Sequence, residues 1–158
     1  MKPTKILFLD IDGVLNSRRS AEAFNGYPHS FDGRNMGQFD HVAIALVRRL
    51  CEKTDCSIVL SSDWRYCHSA HEAANALDLP IIDVTPKITG PRGAEINAWL
   101  TANAHVTIFA IVDDVAELEG FSDHPKNFIQ TDEMFGLSLK NCTDLARILG
   151  VAMTEVMP

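Results

Sequence analysis

Two periods of hydrophobic and polar residues alternate along this chain. Short, nearly continuous apolar runs occur at Lys5–Leu9, Cys56–Leu60, Leu79–Asp83 and Val106–Val112, each closed by polar or turn-forming residues. Runs of this length and content read as buried strands rather than helices. Helical spacing separates them. Asp40 is a good N-cap for a helix whose stripe is Val42, Leu46, Val47 and Leu50, with Arg48, Arg49, Glu52 and Lys53 on the wet face. A second helix is expected from Ser69 to Leu77, carrying Ala73, Ala74 and Leu77. Pro91 suits the first turn of a third, over Arg92–Thr101, with Ile96, Trp99 and Leu100 inward. Asn127–Gln130 reads as a short edge strand, and a last helix starts at Asn141 or Thr143 with Leu145, Ile148 and Leu149 inward.

Strands alternating with helices predict βαβ units and a three-layer α/β/α, Rossmann-like, mostly parallel sheet, in strand order 3-2-1-4-5. Right-handed crossovers then put the strand ends carrying Asp10, Ser61 and Asp113 along one edge. Residues 16–39 break both periods. Gly26-Tyr27-Pro28, Asp32-Gly33 and Met36-Gly37 punctuate a connection longer than usual, which predicts a loop or small flap over a site. Neither this segment nor the one after Arg65 is long enough for a large lid, so the expected architecture is capless. Val151–Pro158 is expected to be a loosely held tail.

Composition narrows the class. A chain of 158 residues, 46% hydrophobic and 22% charged, is expected to form one soluble domain, 1–158, with its core over 5–150. The formal net charge of -7 argues against non-specific binding to a polyanion, so a nucleic acid would have to be gripped locally. Cys51, Cys56, Cys67 and Cys142 form no CxxC pair, which argues against a zinc knuckle or disulfide framework and for reduced thiols. His68 and His71, on the second helix, are expected at the surface rather than on a metal. No apolar run reaches the ~18 residues of a membrane helix. The N-terminal run is too short for a secretory signal, so the expectation is a cytoplasmic monomer or weak dimer.

Candidate chemistry sits at the strand ends. Asp10 and Asp12 follow the first strand, Ser61 and Ser62 the second, and Asp113 and Asp114 the fourth, while Arg92 opens the helix before that strand. Carboxylates from strands one and four can hold Mg²⁺ in an oxygen shell that leaves sites for water and phosphate. Asp10 would then attack phosphorus, and Asp12 would protonate the leaving alkoxide and later accept a proton from water. The Ser61 hydroxyl, or Ser62 if the strand ends one residue later, would hold phosphoryl oxygens together with an Arg92 or Lys87 cation. Gly13 would let the backbone approach the phosphate. Either Asp113 or Asp114 is the direct metal ligand.

This arrangement resembles the haloacid dehalogenase-like phosphatase superfamily. Asp10-Ile11-Asp12-Gly13-Val14 is similar to its first motif, Ile58-Val59-Leu60-Ser61 to its second, Arg92 to its third, and Val112-Asp113-Asp114 to its fourth. The resemblance implies a nucleophile at Asp10, a general acid/base at Asp12 whose backbone carbonyl also meets Mg²⁺, and a phosphomonoester substrate. A narrower resemblance is to the phosphatase-like domain of multi-part RNA repair proteins and polynucleotide phosphatases. It rests on Asp12-Gly13-Val14-Leu15-Asn16, Val59-Leu60-Ser61-Ser62-Asp63-Trp64-Arg65, Arg92-Gly93-Ala94-Glu95-Ile96 with Trp99-Leu100, and Thr131-Asp132 before Gly136-Leu137. It implies a DNA or RNA end or a nucleotide as substrate, with small phosphorylated metabolites as the alternative. A non-hydrolytic phospho-accepting or binding domain is a third reading, against which Asp12 speaks. Asp63 departs from the family, whose members often have a third Ser there.

Other candidates have two readings each. Arg65 is either a substrate-phosphate contact or a surface ion-pair partner. Trp64 is expected to pack under the loop rather than stack on a base. Arg18, Arg19 and Arg34 are either solvated or face a nucleic-acid backbone, and Thr131 and Asp132 line the rim or cap a turn.

Overall fold

The computed structural model describes residues 4–116 and 121–152. In chain order the elements are β1 (Lys5–Leu9), α1 (Arg18–Ala23), α2 (Gly33–Met36), α3 (His41–Thr54), β2 (Ser57–Leu60), α4 (Ala70–Leu77), β3 (Ile81–Val84), α5 (Arg92–Ala102), β4 (Ile108–Asp113), β5 (Phe128–Gln130) and α6 (Leu139–Ile148). The five strands form one sheet in the order β3-β2-β1-β4-β5, with every pairing parallel. The predicted class and strand order are those observed.

Strand alternation divides the core. Leu7 and Leu9 of β1, Ile58 and Leu60 of β2, and Ala110 and Val112 of β4 join the cluster under α3, α4 and α6. Their neighbours Ile6, Phe8, Val59 and Ile111 face the other way, onto Ile96 and Trp99 of α5 and onto Phe121. A strand buried on both faces has no polar side, which is why these runs are continuously apolar. Each fully buried aliphatic side chain contributes about 1.5–3 kcal/mol.

Several boundaries shift, for local reasons. Val42 is solvent-exposed instead of inward. At about 100° per residue it lies roughly 140° from the centre of the stripe formed by Ala43, Ile44, Val47, Leu50, Cys51 and Thr54. β4 starts at Ile108 because the Val106 N–H closes a turn onto the Asn103 carbonyl. α6 starts before Asn141: Ser138 caps it in a reciprocal capping box with Asn141, and its first residue, Leu139, is exposed and adds nothing to the apolar stripe. His68 lies just before α4 instead of on it, half-buried against Phe31 and Trp64. The Cys56 thiol donates to Cys51 Sγ at 3.6 Å without a disulfide, and all four cysteines are free thiols. Of the predicted tail only residues 151 and 152 are described, and residues 153–158 lie outside the described residues, as do 117–120 in the polar loop after β4.

The flap segment contains two short capped helices. Ser17 caps α1 in a box with Ser20, and Asp32 caps α2 by accepting from the Arg34 and Asn35 N–H groups. Its base is tied to the turn after β5, whose Glu133 and Met134 carbonyls accept from the Arg18 and Arg19 N–H groups. Thr131 Oγ1 donates to the Gly13 carbonyl at 2.7 Å, and Asp132 closes the turn by accepting from the Met134 N–H.

Candidate active site

Register brings the acidic residues together. Leu9 pairs with Val112, so the residues after them, Asp10 just past β1 and Asp113 at the end of β4, come to lie side by side. The Asp10 N–H continues the ladder, donating to the Val112 carbonyl at 3.1 Å. Carboxylate oxygens of Asp10, Asp113 and Asp114 all lie within 4.8 Å of one another. Asp10 and Asp113 are buried and Asp114 is half-buried. Gly13 takes a left-handed turn at φ +76°, and a Cβ there would fall 2.2 Å from Asp114 Oδ2. Glycine is thus required by the close approach of Asp114 as well as by the turn.

A single guanidinium enters this cluster. Arg92, first residue of α5, donates to Asp113 Oδ2 at 2.6 Å and lies 3.4 Å from Asp10 Oδ2 and 3.2 Å from Asp63 Oδ1. Burial works against its charge, but the carboxylates of Asp10 and Asp113 outweigh that and hold its pKa above the usual value. Three carboxylates facing one cation are not neutralised. Burial first, and then the Asp113 charge, raises the Asp10 carboxyl well above the usual carboxylate range, although Arg92, the Ile11 N–H and the Ser62 hydroxyl oppose the shift. The same two causes push Asp114 up to about 6.

Asp12 stands apart, with its carboxylate outside the converging group. Oδ1 accepts from Asn16 Nδ2 at 2.9 Å and Oδ2 from the Trp64 indole N–H at 3.0 Å. Asn16 Oδ1 in turn accepts from the Gly13 N–H, closing the loop on itself. The expected packing of Trp64 is correct, against Phe31 and Phe39, and the indole also fixes the second aspartate. Asn16 was legible only as a member of the motif; nothing in the spacing marked it as the clamp on Asp12.

The remaining candidates divide. Ser61 follows β2, its N–H donating to the Leu9 carbonyl, and its buried hydroxyl has no hydrogen-bond partner among the described residues. Ser62 caps the 3-10 turn Asp63–Tyr66, its side chain accepting from the Trp64 N–H. Arg65 does not take the expected substrate-binding position. Its side chain is 0% exposed, pairs with the buried Glu95 carboxylate and donates to the Ser61 and Ser62 carbonyls. Nor is Arg65 the surface ion-pair partner of the alternative reading: its pair with Glu95 lies in the interior, because the turn after β2 folds the side chain back under its own backbone. Glu95, one turn into α5 from Arg92, was not singled out as its partner. Lys87 is exposed with its ammonium over the Tyr66 ring, so among the described residues Arg92 is the cation at the cluster.

The donor set fits a hard divalent cation. It consists of oxygens only, with no Cys or His in the group, and it carries excess negative charge that one arginine does not balance. The unpartnered Ser61 hydroxyl adds a further polar atom at the same edge. A cavity of about 430 Å³ opens beside Asp12 and Trp64, and a second of about 240 Å³ beside Arg92 and Asp63.

A parallel 3-2-1-4-5 sheet with aspartates at the ends of its first and fourth strands defines a haloacid dehalogenase-like domain. Residues 6–142 match the model of one family, the HAD domain in Swiss Army Knife RNA repair proteins, and the chain belongs to that family. Membership supports a phosphatase or hydrolase role, with a divalent metal as the general cofactor of such domains. No curated protein and no solved structure matches the chain. No helix among the described residues is long and apolar enough to cross a membrane.

Proposed function

We propose that the protein is a Mg²⁺-dependent phosphomonoesterase that works through an aspartyl-phosphate on Asp10 and removes phosphate from a nucleic-acid or nucleotide end. The observation that carries this reading is the convergence of Asp10, Asp113 and Asp114 on one point. These three, with the Asp12 backbone carbonyl, would hold the ion, which when bound supplies the positive charge that lets a carboxylate approach an anionic phosphate.

The chain's own groups account for the rest. An Asp10 carboxylate oxygen attacks phosphorus while the ester P–O bond breaks, and Asp12 gives its proton to the departing alkoxide. Water then attacks the phosphorus of the acyl phosphate, Asp12 takes back a proton, and the P–O bond to Asp10 breaks to release phosphate. Asn16 and Trp64 hold the Asp12 carboxylate in place through both steps. Arg92 and the Ser61 hydroxyl steady the equatorial oxygens.

Phosphate release across nucleotides, phosphorylated DNA and RNA ends and sugar phosphates, with Mg²⁺ and with chelator, tests the reading. Chelator-sensitive turnover of nucleic-acid or nucleotide phosphates is expected. Efficient turnover of sugar phosphates alone would replace the nucleic-acid substrate with a metabolite, and inactivity on every phosphomonoester would overturn the enzyme assignment.

A further inference from the structure

The cavity of about 430 Å³ beside Asp12 is walled by Tyr27, Pro28 and His29 of the flap and by Trp64 and His68 beyond β2. Its volume falls within the range of small-molecule sites and suits one nucleoside better than a strand. Three features bear on its occupant. Asp12 lines it, so under the reading above whatever sits there belongs to the leaving group rather than to the phosphate. Tyr27 is 44% exposed and His29 is also exposed, so flat ring surface is open to solvent beside a Trp64 held by Phe31 and Phe39. The charged side chains that line it are Asp12 and Asp63, with no Lys or Arg among them, so a second phosphate is repelled.

We propose that this cleft receives the nucleobase of the nucleotide whose phosphate is removed, stacked on the flap rings of Tyr27 and His29. The inference rests on the phosphomonoesterase reading for its direction and adds what is recognised: a base next to the scissile phosphate, read by stacking instead of by backbone charge. That mode suits a chain with a formal net charge of -7. Free mononucleotides and oligonucleotide ends share this chemistry.

The test is equilibrium binding of the full-length Asp10→Asn protein, with Mg²⁺, to oligonucleotides whose phosphorylated terminal residue is normal or abasic. The matching mononucleotide and a phosphotyrosyl peptide complete the set. The abasic end should bind about 5- to 150-fold more weakly, the range that base–aromatic stacking spans. Tyr27→Ala should shrink this difference, Tyr27→Ala combined with His29→Ala should erase it, and Tyr27→Phe should keep it. Mononucleotide binding equal to that of the oligonucleotide identifies a free nucleotide as sufficient, and weaker binding identifies a strand end; both support the base site. Equal affinity for normal and abasic ends, or preference for the phosphotyrosyl peptide, overturns it. Base-dependent binding by a wild-type protein that turns over no phosphomonoester would sink the enzyme reading and leave the base site standing. Turnover blind to the base would do the reverse.

Discussion

Arg65 and Arg92 lie at the same end of the sheet and meet opposite surroundings. Arg65 is enclosed, with one buried carboxylate, Glu95, and two backbone carbonyls around it. Glu95 matches its charge in the interior, the exposed Asp63 Oδ1 lies 3.4 Å away and is shared with Arg92, and the guanidinium pins the turn carrying Ser61 and Ser62. Arg92, three residues before Glu95 on the same helix, faces Asp10 and Asp113 directly and Asp63 at the rim, with Asp114 close behind. Its surroundings keep surplus negative charge, and two of their carboxyls resist ionisation. A balanced pair can only hold structure together. An unbalanced cluster stores an affinity for a cation or for a proton, and such imbalance marks a functional site.

Substitutions should separate the two centres. Asp10→Asn should abolish phosphate release, a loss beyond about 10⁴-fold for a covalent nucleophile, while thermal melts show the fold intact; residual turnover near the wild-type rate would remove the covalent route. Asp12→Asn should slow turnover by about 10²–10⁴-fold, most for substrates with poor leaving groups, as kinetics over a series of leaving groups would reveal. At the balanced centre, Glu95→Gln should cost about 3–5 kcal/mol of stability by stranding a buried guanidinium. Denaturant unfolding measures it, and a loss as small as that of a surface ion pair would mean that the pair is not closed to water.

Proton linkage sharpens the contrast further. The folded carboxyl of Asp114, at about 6, lies above its unfolded value, and Asp10 is also raised. Between pH ~4 and ~6 the folded state therefore binds more protons than the unfolded, and stability falls as pH rises through that window. In chelator the melting temperature should accordingly rise on going from pH 7 to pH 5, and Mg²⁺ should flatten this slope by stabilising the ionised cluster. Asp32, Glu72 and Asp144, lowered by hydrogen bonds to their neighbours, act in the opposite sense below this window. A slope unchanged by Mg²⁺ would separate the cluster from metal binding. The smallest effect belongs to Trp64→Phe, which removes one donor from Asp12 and keeps the packing; about a tenfold fall in turnover is expected from the loss of a hydrogen bond to a charged group. A fall in stability with turnover unchanged would reduce Trp64 to packing.

Most of the fold was legible. Continuous apolar runs named the strands, and their alternation with helical stripes led to the parallel sheet and its order. The misplaced starts of β4 and α6 came from local turns and caps that hydrophobicity does not register, such as the Ser138–Asn141 box. Within the site, Asp10, Asp12 and one of Asp113 and Asp114 are expected to converge because they lie at the ends of strands whose neighbours can be deduced; Asp10, Asp113 and Asp114 do so, whereas the Asp12 carboxylate turns away to Asn16 and Trp64. The Arg65–Glu95 pair and the Trp64 indole's bond to Asp12 are not legible because each joins different elements, and Asn16 is not legible as the clamp because motif spacing does not say which way a side chain turns within its own loop. Whether an arginine faces a substrate or a buried glutamate depends on which way a single turn folds.

The amino-acid sequence by itself determined which strands form, in what order they lie and which carboxylates end them, because strand burial and crossover handedness follow from short-range pattern. Only the tertiary structure decided which charges are cancelled and which are left over. Charge balance is a sum over neighbours a few ångströms apart in space, and Arg65 with Glu95, or Asp12 with Trp64, are neighbours only once the chain has folded.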